Sequence, residues 1–125
     1  MITEDYVSFE VAKLLKERGF KIPYDSFRGV YMNGIFKRLN PEDGYGHNSE
    51  DEIIEVCSLQ MAMKWLRETF EIHCQIDCPI AASNWVYGIR DLNQDEWITL
   101  RNMGDYETYE EACEAAIKYC LENLI

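Results

Sequence analysis

The sequence predicts an α+β fold, an antiparallel sheet with helices laid on one face. Three observations predict it. Residues 108–125 (TYEEACEAAIKYCLENLI) place apolar side chains at Tyr109, Ala112, Cys113, Ala116, Ile117, Cys120, Leu121 and Leu124, the i, i+3, i+4, i+7 stripe of an amphipathic helix. Asn33-Gly34 stands between GVYM and IFKRL, and Asn-Gly is the strongest two-residue hairpin signal because a type I′ turn needs positive φ at both positions. Residues 72–78 alternate Ile, Cys, Ile, Cys against His, Gln and Asp, as a half-buried strand does. The expected order is α-β-β, an acidic loop, then α-β-β-β-α.

Each element has its own local signals. Thr3 to Arg18 reads as the first helix, with Phe9, Ala12, Leu15 and the neighbouring Val11 and Leu14 on a broad apolar face and Ser8 as an alternative N-cap. Gly19 suits the C′ position of a Schellman motif, Phe20 packs back on the last turn, and Pro23 lies beyond the stop. The hairpin spans Phe27 to Leu39. Residues 41–56 (PEDGYGHNSEDEIIEV) begin polar, acidic and glycine-containing and read as a loop. Ser58 caps a second helix, LQMAMKWLRETF, whose Leu59, Ala62, Met63, Leu66 and Phe70 share a side widened by Trp65. After the strand at 72–78, stopped by Pro79, two more strands are expected at Trp85 to Leu92 and Glu96 to Leu100, joined by a tight turn at Asn93-Gln94-Asp95. Residues 102–107 read as the lead into the last helix, where Thr108 and Glu111 form a T-x-x-E capping box.

At 125 residues the chain suits one domain, or two packed halves, 1–40 (helix plus hairpin) and 57–125 (α-β-β-β-α), joined by the acidic loop 41–56. A chain of this length buries about two-thirds of its unfolded surface. Hydrophobic residues make up 47% and aromatics 13%, which argues against disorder. The net charge of −11 repels phosphate, so direct nucleic-acid binding is not expected, nor is binding to an anionic membrane. No apolar run reaches the roughly eighteen residues of a membrane span, and the N-terminal MITEDYVSFE lacks the pattern of a signal peptide. A cytoplasmic location with reduced cysteines follows as the expectation, and the odd count of five does not suit a closed disulfide set.

Candidate chemistry is sparse. Cys74, Cys78, Cys113 and Cys120 read as small core hydrophobes, or as a metal or redox cluster if the strand packs under the last helix. Cys57, just before a helix, is the best candidate for a reactive thiol, although Asp51 and Glu55 oppose a lowered pKa. His47 lies among Asp43, Glu50 and Asp51, but that spacing does not fit the D-x-D-x-D-G calcium loop. His73 has no Cys or Ser partner that sequence can assign. There is no G-x-S-x-G, no phosphate loop, no H-E-x-x-H and no G-x-G-x-x-G, so neither a catalytic residue nor a cofactor is expected. The aromatics are more informative. Tyr24, Phe27, Tyr31, Phe36, Trp85, Tyr87 and Trp97 fall on the expected hairpin strands, where they form an exposed interaction surface or cross-pair to stiffen the strands.

Two resemblances add context. Leu59 to Glu68 (LQMAMKWLRE) and Thr108 to Ile125 resemble a family of small uncharacterised proteins of bacterial prophages and other mobile elements of gut anaerobes. That resemblance implies a genomic setting and no catalytic residue. The α-β-β-β-α order from Ser58 onward is similar to the topology of a double-stranded RNA-binding domain. That family carries a basic cluster at the start of its last helix to contact phosphate, whereas Tyr109-Glu110-Glu111-Ala112 stands here. Ser58 to Ile125 holds five basic and twelve acidic residues, so the likeness extends to fold alone.

These readings favour a non-catalytic protein-interaction or accessory protein of a mobile element, acting on a protein partner or on a second copy of itself. One alternative is an acidic nucleic-acid mimic that occupies a host DNA-binding or defence protein. Another is a small metal- or thiol-dependent enzyme.

Overall fold

The computed structural model describes residues 5–21, 29–38, 52–79 and 83–125. The fold is α+β with antiparallel sheets. The chain divides into two compact units, Met1–Ser58 and Leu59–Ile125.

In the first unit, α1 (Phe9–Glu17) begins at Ser8, whose side chain accepts the Val11 N–H at 3.2 Å. The expected start at Thr3 is corrected. Residues 5–7 are not helical, Val7 donates its N–H to the Cys57 carbonyl at 3.1 Å, and Tyr6 pairs with Ser58 in an isolated bridge. The helix ends as the sequence indicates. Gly19 adopts φ +90°, its N–H reaches Lys16 O at 3.2 Å, and the Phe20 N–H reaches Leu15 O at 3.0 Å. Those two bonds are the Schellman pair, and the positive φ is what makes glycine suitable there.

The hairpin follows. Strands β1 (Gly29–Met32) and β2 (Ile35–Arg38) pair with Met32 opposite Ile35, and Asn33 (φ 52°) and Gly34 (φ 83°) form the type I′ turn. A third strand, β3 (Ile53–Val56), pairs with the other side of β1 and gives the order β2-β1-β3. This corrects the reading of 41–56 as one loop. Ile54 and Val56 alternate with Glu55, yet the acidic run before them hid so short a period. Asn33 fixes the entry to β3, because its Oδ1 accepts the Glu52 N–H at 2.8 Å while its own N–H donates to Glu52 O at 2.8 Å. Buried residues of this unit include Val7, Val11, Leu15, Val30, Ile54 and Val56. The remainder of the acidic loop, with His47, lies outside the described residues.

The second unit opens with α2 (Leu59–Phe70), which buries Leu59, Ala62, Met63 and Leu66. Phe70, expected on that side, is 37% exposed and meets Trp65 edge-on at 5.2 Å. Strand β4 (Ile72–Asp77) pairs along its length with β5 (Trp85–Asp91). The third strand position is split, which corrects the expected strand at Glu96 to Leu100. Strand β6 (Glu96–Trp97) pairs with Arg90 and Asp91, and β7 (Met103–Tyr106) pairs with Trp85 and Tyr87 across a register shift. Gly104, at φ +79°, interrupts the pattern of β7 and gives residues 102–107 the look of a lead-in to the last helix. Helix α3 (Tyr109–Asn123) then starts at Thr108, whose hydroxyl accepts the Glu111 N–H at 3.1 Å. It buries Ala112, Cys113, Ala116, Ile117, Cys120 and Leu121. They lie on the face of the sheet that carries Ile72, Cys74, Tyr87 and Ile89, where Cys74 and Cys120 meet.

Candidate interaction surface

The face of the β4-β5 sheet away from α3 carries the partner pairs His73–Arg90, Gln75–Gly88 and Asp77–Val86, and Trp97 stands opposite Arg90 on β6. The turn leading to β6 is set by Asp91, whose Oδ1 accepts the N–H groups of Asn93 (2.9 Å) and Gln94 (3.2 Å). Asp95 closes the turn at φ 55° and pairs with the Arg90 guanidinium. Beyond β6 the chain leaves the ladder at Thr99. Its hydroxyl accepts the Ile89 N–H at 2.9 Å and donates to Leu100 O at 2.8 Å, so a side chain replaces the next ladder bond.

Residues 97–101 can lie this close to the sheet because position 88 is glycine. A Cβ there would stand 2.8 Å from the Trp97 ring and 2.9 Å from Arg101 Cα. Trp97 is left 37% exposed, with the Arg90 guanidinium 5.7 Å and the Arg101 guanidinium 5.1 Å from its ring centroid. Leu92 (41%), Ile98 (39%) and Leu100 (73%) are exposed on the same turn and loop. In a strongly acidic chain this gathers an indole, three aliphatic side chains and two guanidinium groups within residues 90–101. Beside it, burial together with Arg67 and Arg90 lowers the pKa of His73, so its ring is neutral at pH 7.

The seven predicted aromatics do not form one surface. Tyr24 and Phe27 lie outside the described residues. Tyr31 is held in the first unit, its hydroxyl donating to Val7 O at 3.0 Å and its ring packed on Phe9 and Phe36 at 5.5 and 5.6 Å. Phe36 is 39% exposed and also touches Tyr6. In the second unit, Tyr87 is buried against Tyr106 and Tyr119, and Trp85 meets Tyr109 edge-on. Trp97 is the member of the set that stands on the outward patch. Leu92, Ile98, Leu100, Arg90, Arg101 and Gly88 escaped sequence reasoning. Their signal was Trp97 between two arginines in sequence, with a glycine on the neighbouring strand.

The cysteines are brought together in part. Cys74 and Cys120 Sγ atoms lie 3.8 Å apart in the second unit, and both residues are buried. Cys113 is buried on the same side of α3, whereas Cys78 is exposed just past β4 and does not join them. The hydrogen bond with Cys120, then burial, raises the Cys74 thiol well above its ordinary value. Burial pushes Cys113 up to about 11, opposed in part by a hydrogen bond from Tyr109. Such thiols stay protonated at neutral pH and behave as small apolar side chains. Cys57, the expected reactive thiol, is 2% exposed, which denies it the solvent access such a role requires. Among the described residues no group of three or more His, Cys, Asp and Glu side chains is placed to hold a metal ion, and no helix is long and apolar enough to cross a membrane.

A comparison with known proteins finds no matching family model, no matching curated protein and no matching solved structure.

Proposed function

We propose that this protein is a non-catalytic interaction factor, a cytoplasmic accessory protein of a mobile element that binds a protein partner through the Trp97 patch. The single observation that carries this reading is Trp97 held against the sheet between Arg90 and Arg101, in a segment that also exposes Leu92, Ile98 and Leu100. Trp and Arg dominate binding hot spots because they combine large apolar area with directed polar contacts, and hot spots sit within a ring of contacts that exclude water. The aliphatic side chains supply such contacts. With Arg90 already paired to Asp95, the Arg101 guanidinium favours a partner that sets a carboxylate beside its pocket for the indole.

The test compares the native chain with Trp97→Ala and Leu100→Ser, both exposed enough to leave the core intact, by quantitative co-purification from the source cell. Partner recovery is expected to fall by at least tenfold for Trp97→Ala, the effect of losing a hot spot of about 2 kcal/mol. Equal recovery with both folded variants removes the patch as the binding surface. Light scattering on the same proteins distinguishes a foreign partner from a second copy: a dimer lost in Trp97→Ala assigns the patch to self-association.

A further inference from the structure

Among the described residues, the order β2-β1-β3 leaves β3 with a strand neighbour on one side alone. Which of its backbone groups face outward follows from the ladder. The Asn33 N–H bonds Glu52 O, so 33 and 52 are a hydrogen-bonded pair. Alternation in an antiparallel pair then directs the N–H and C=O of Ile54 and Val56 toward β1. The corresponding groups of Ile53, Glu55 and Cys57 point to the open side. Two of those three carbonyls are already used: Lys16 Nζ donates to Ile53 O at 3.1 Å, and the Val7 N–H donates to Cys57 O at 3.1 Å. Between them, the N–H and C=O of Glu55 have no hydrogen bond among the described residues.

A cavity of about 570 Å³ opens at this edge. Leu15, Lys16, Phe20 and Lys21, from α1 and the turn after it, form one wall, and Ile53 and Glu55 form the other. Its size is that of a small-ligand or short-peptide site. Its chemistry is more specific than its size. An outward amide and an outward carbonyl on one residue match an extended backbone, which offers the reciprocal pair in register. Phe20, half-buried, supplies an apolar seat beside them, with the buried Leu15 beneath. Among the described lining residues, Lys16 and Lys21 bring two ammonium groups against the Glu55 carboxylate.

We propose that this groove binds a short extended segment of a partner protein, which pairs with β3 at Glu55 as an added antiparallel strand. An apolar side chain of that segment packs against Phe20, and a neighbouring carboxylate lies by Lys21. The groove belongs to the first unit and shares no residue with the Trp97 patch, so the two assignments stand or fall separately.

The experiment selects short random peptides displayed on phage against the full chain, and measures the enriched peptides in solution. The expected consensus is an apolar residue next to Asp or Glu. Bound peptide should slow exchange of the Glu55 amide hydrogen. Glu55→Pro removes that donor without touching the β1–β3 ladder and should weaken binding about tenfold or more. Lys21→Glu, a change at an exposed side chain, should weaken acidic peptides several-fold and leave peptides with Asn or Gln at the same place unchanged. Equal binding by folded Glu55→Pro, an unchanged Glu55 exchange rate, indifference to Lys21→Glu, or the absence of any enriched peptide would each overturn the proposal. A concentration-dependent dimer abolished by Glu55→Pro would assign the edge to a second copy of the chain and overturn it likewise.

Discussion

Thiol chemistry in this protein is decided by position, residue by residue. Cys57, Cys74, Cys113 and Cys120 are buried, and Cys78 is exposed. A thiol reacts as its thiolate, so burial acts twice, by blocking access and by raising the pKa. In the folded protein, Cys78 should therefore account for the fast reaction with a maleimide or a chromogenic disulfide. Cys78→Ser should abolish that phase, and the remaining thiols should react only on the timescale of unfolding. Fast labelling that persists in Cys78→Ser would contradict the burial assigned to the other four. The Cys113 thiol, pushed up to about 11, should remain slow through mildly alkaline pH, where an ordinary exposed cysteine is already largely ionised.

At the scale of elements, the start of α3 and the end of α1 were legible because capping chemistry is local. Thr108 caps α3 through the Glu111 N–H, so Thr108→Ala should cost about 1 kcal/mol in chemical denaturation, with Thr108→Ser recovering most of it. An unchanged midpoint for Thr108→Ala would mean that packing of the Ala112, Ala116 and Cys120 face fixes the helix without its cap. The Asn33-Gly34 turn was legible for the same reason, since its two positive φ values exclude most other residue pairs. β3 and β7 were not. Ile53–Val56 is four residues long and follows a run of acidic side chains, and Met103–Tyr106 holds a glycine and a bulge. Their strand character comes from β1 and β5, distant partners that no local window contains. Trp97 was legible as an aromatic on a strand. Its setting was not, because Gly88, Arg101 and Leu100 converge on it only after the chain turns back.

For the whole molecule, the division at Ser58 has a thermodynamic consequence. Leu59–Ile125 holds two helices, a sheet and its own core of Leu66, Ile89, Ile117 and Leu121. A chain of residues 58–125 is thus expected to fold cooperatively when expressed alone, with a single thermal transition and dispersed amide resonances. A molten or unfolded product would show that the first unit is required to complete that core. The result also bears on function, because the Trp97 patch belongs entirely to the second unit and the β3 groove entirely to the first. A 58–125 chain that keeps the partner of the patch while losing the peptides of the groove would establish two independent binding modules on one small chain.

The split strand beside β5 has a further meaning. An unbroken outer strand is a template on which like chains can stack without limit. Here β6 holds two residues, the chain then lifts away at Thr99, and β7 resumes only after a register shift at Gly104. An incoming strand finds no continuous row of backbone groups to copy on that side. The interruption that lets residues 97–101 fold over Gly88 also denies that margin of the sheet the continuous template on which fibrils grow.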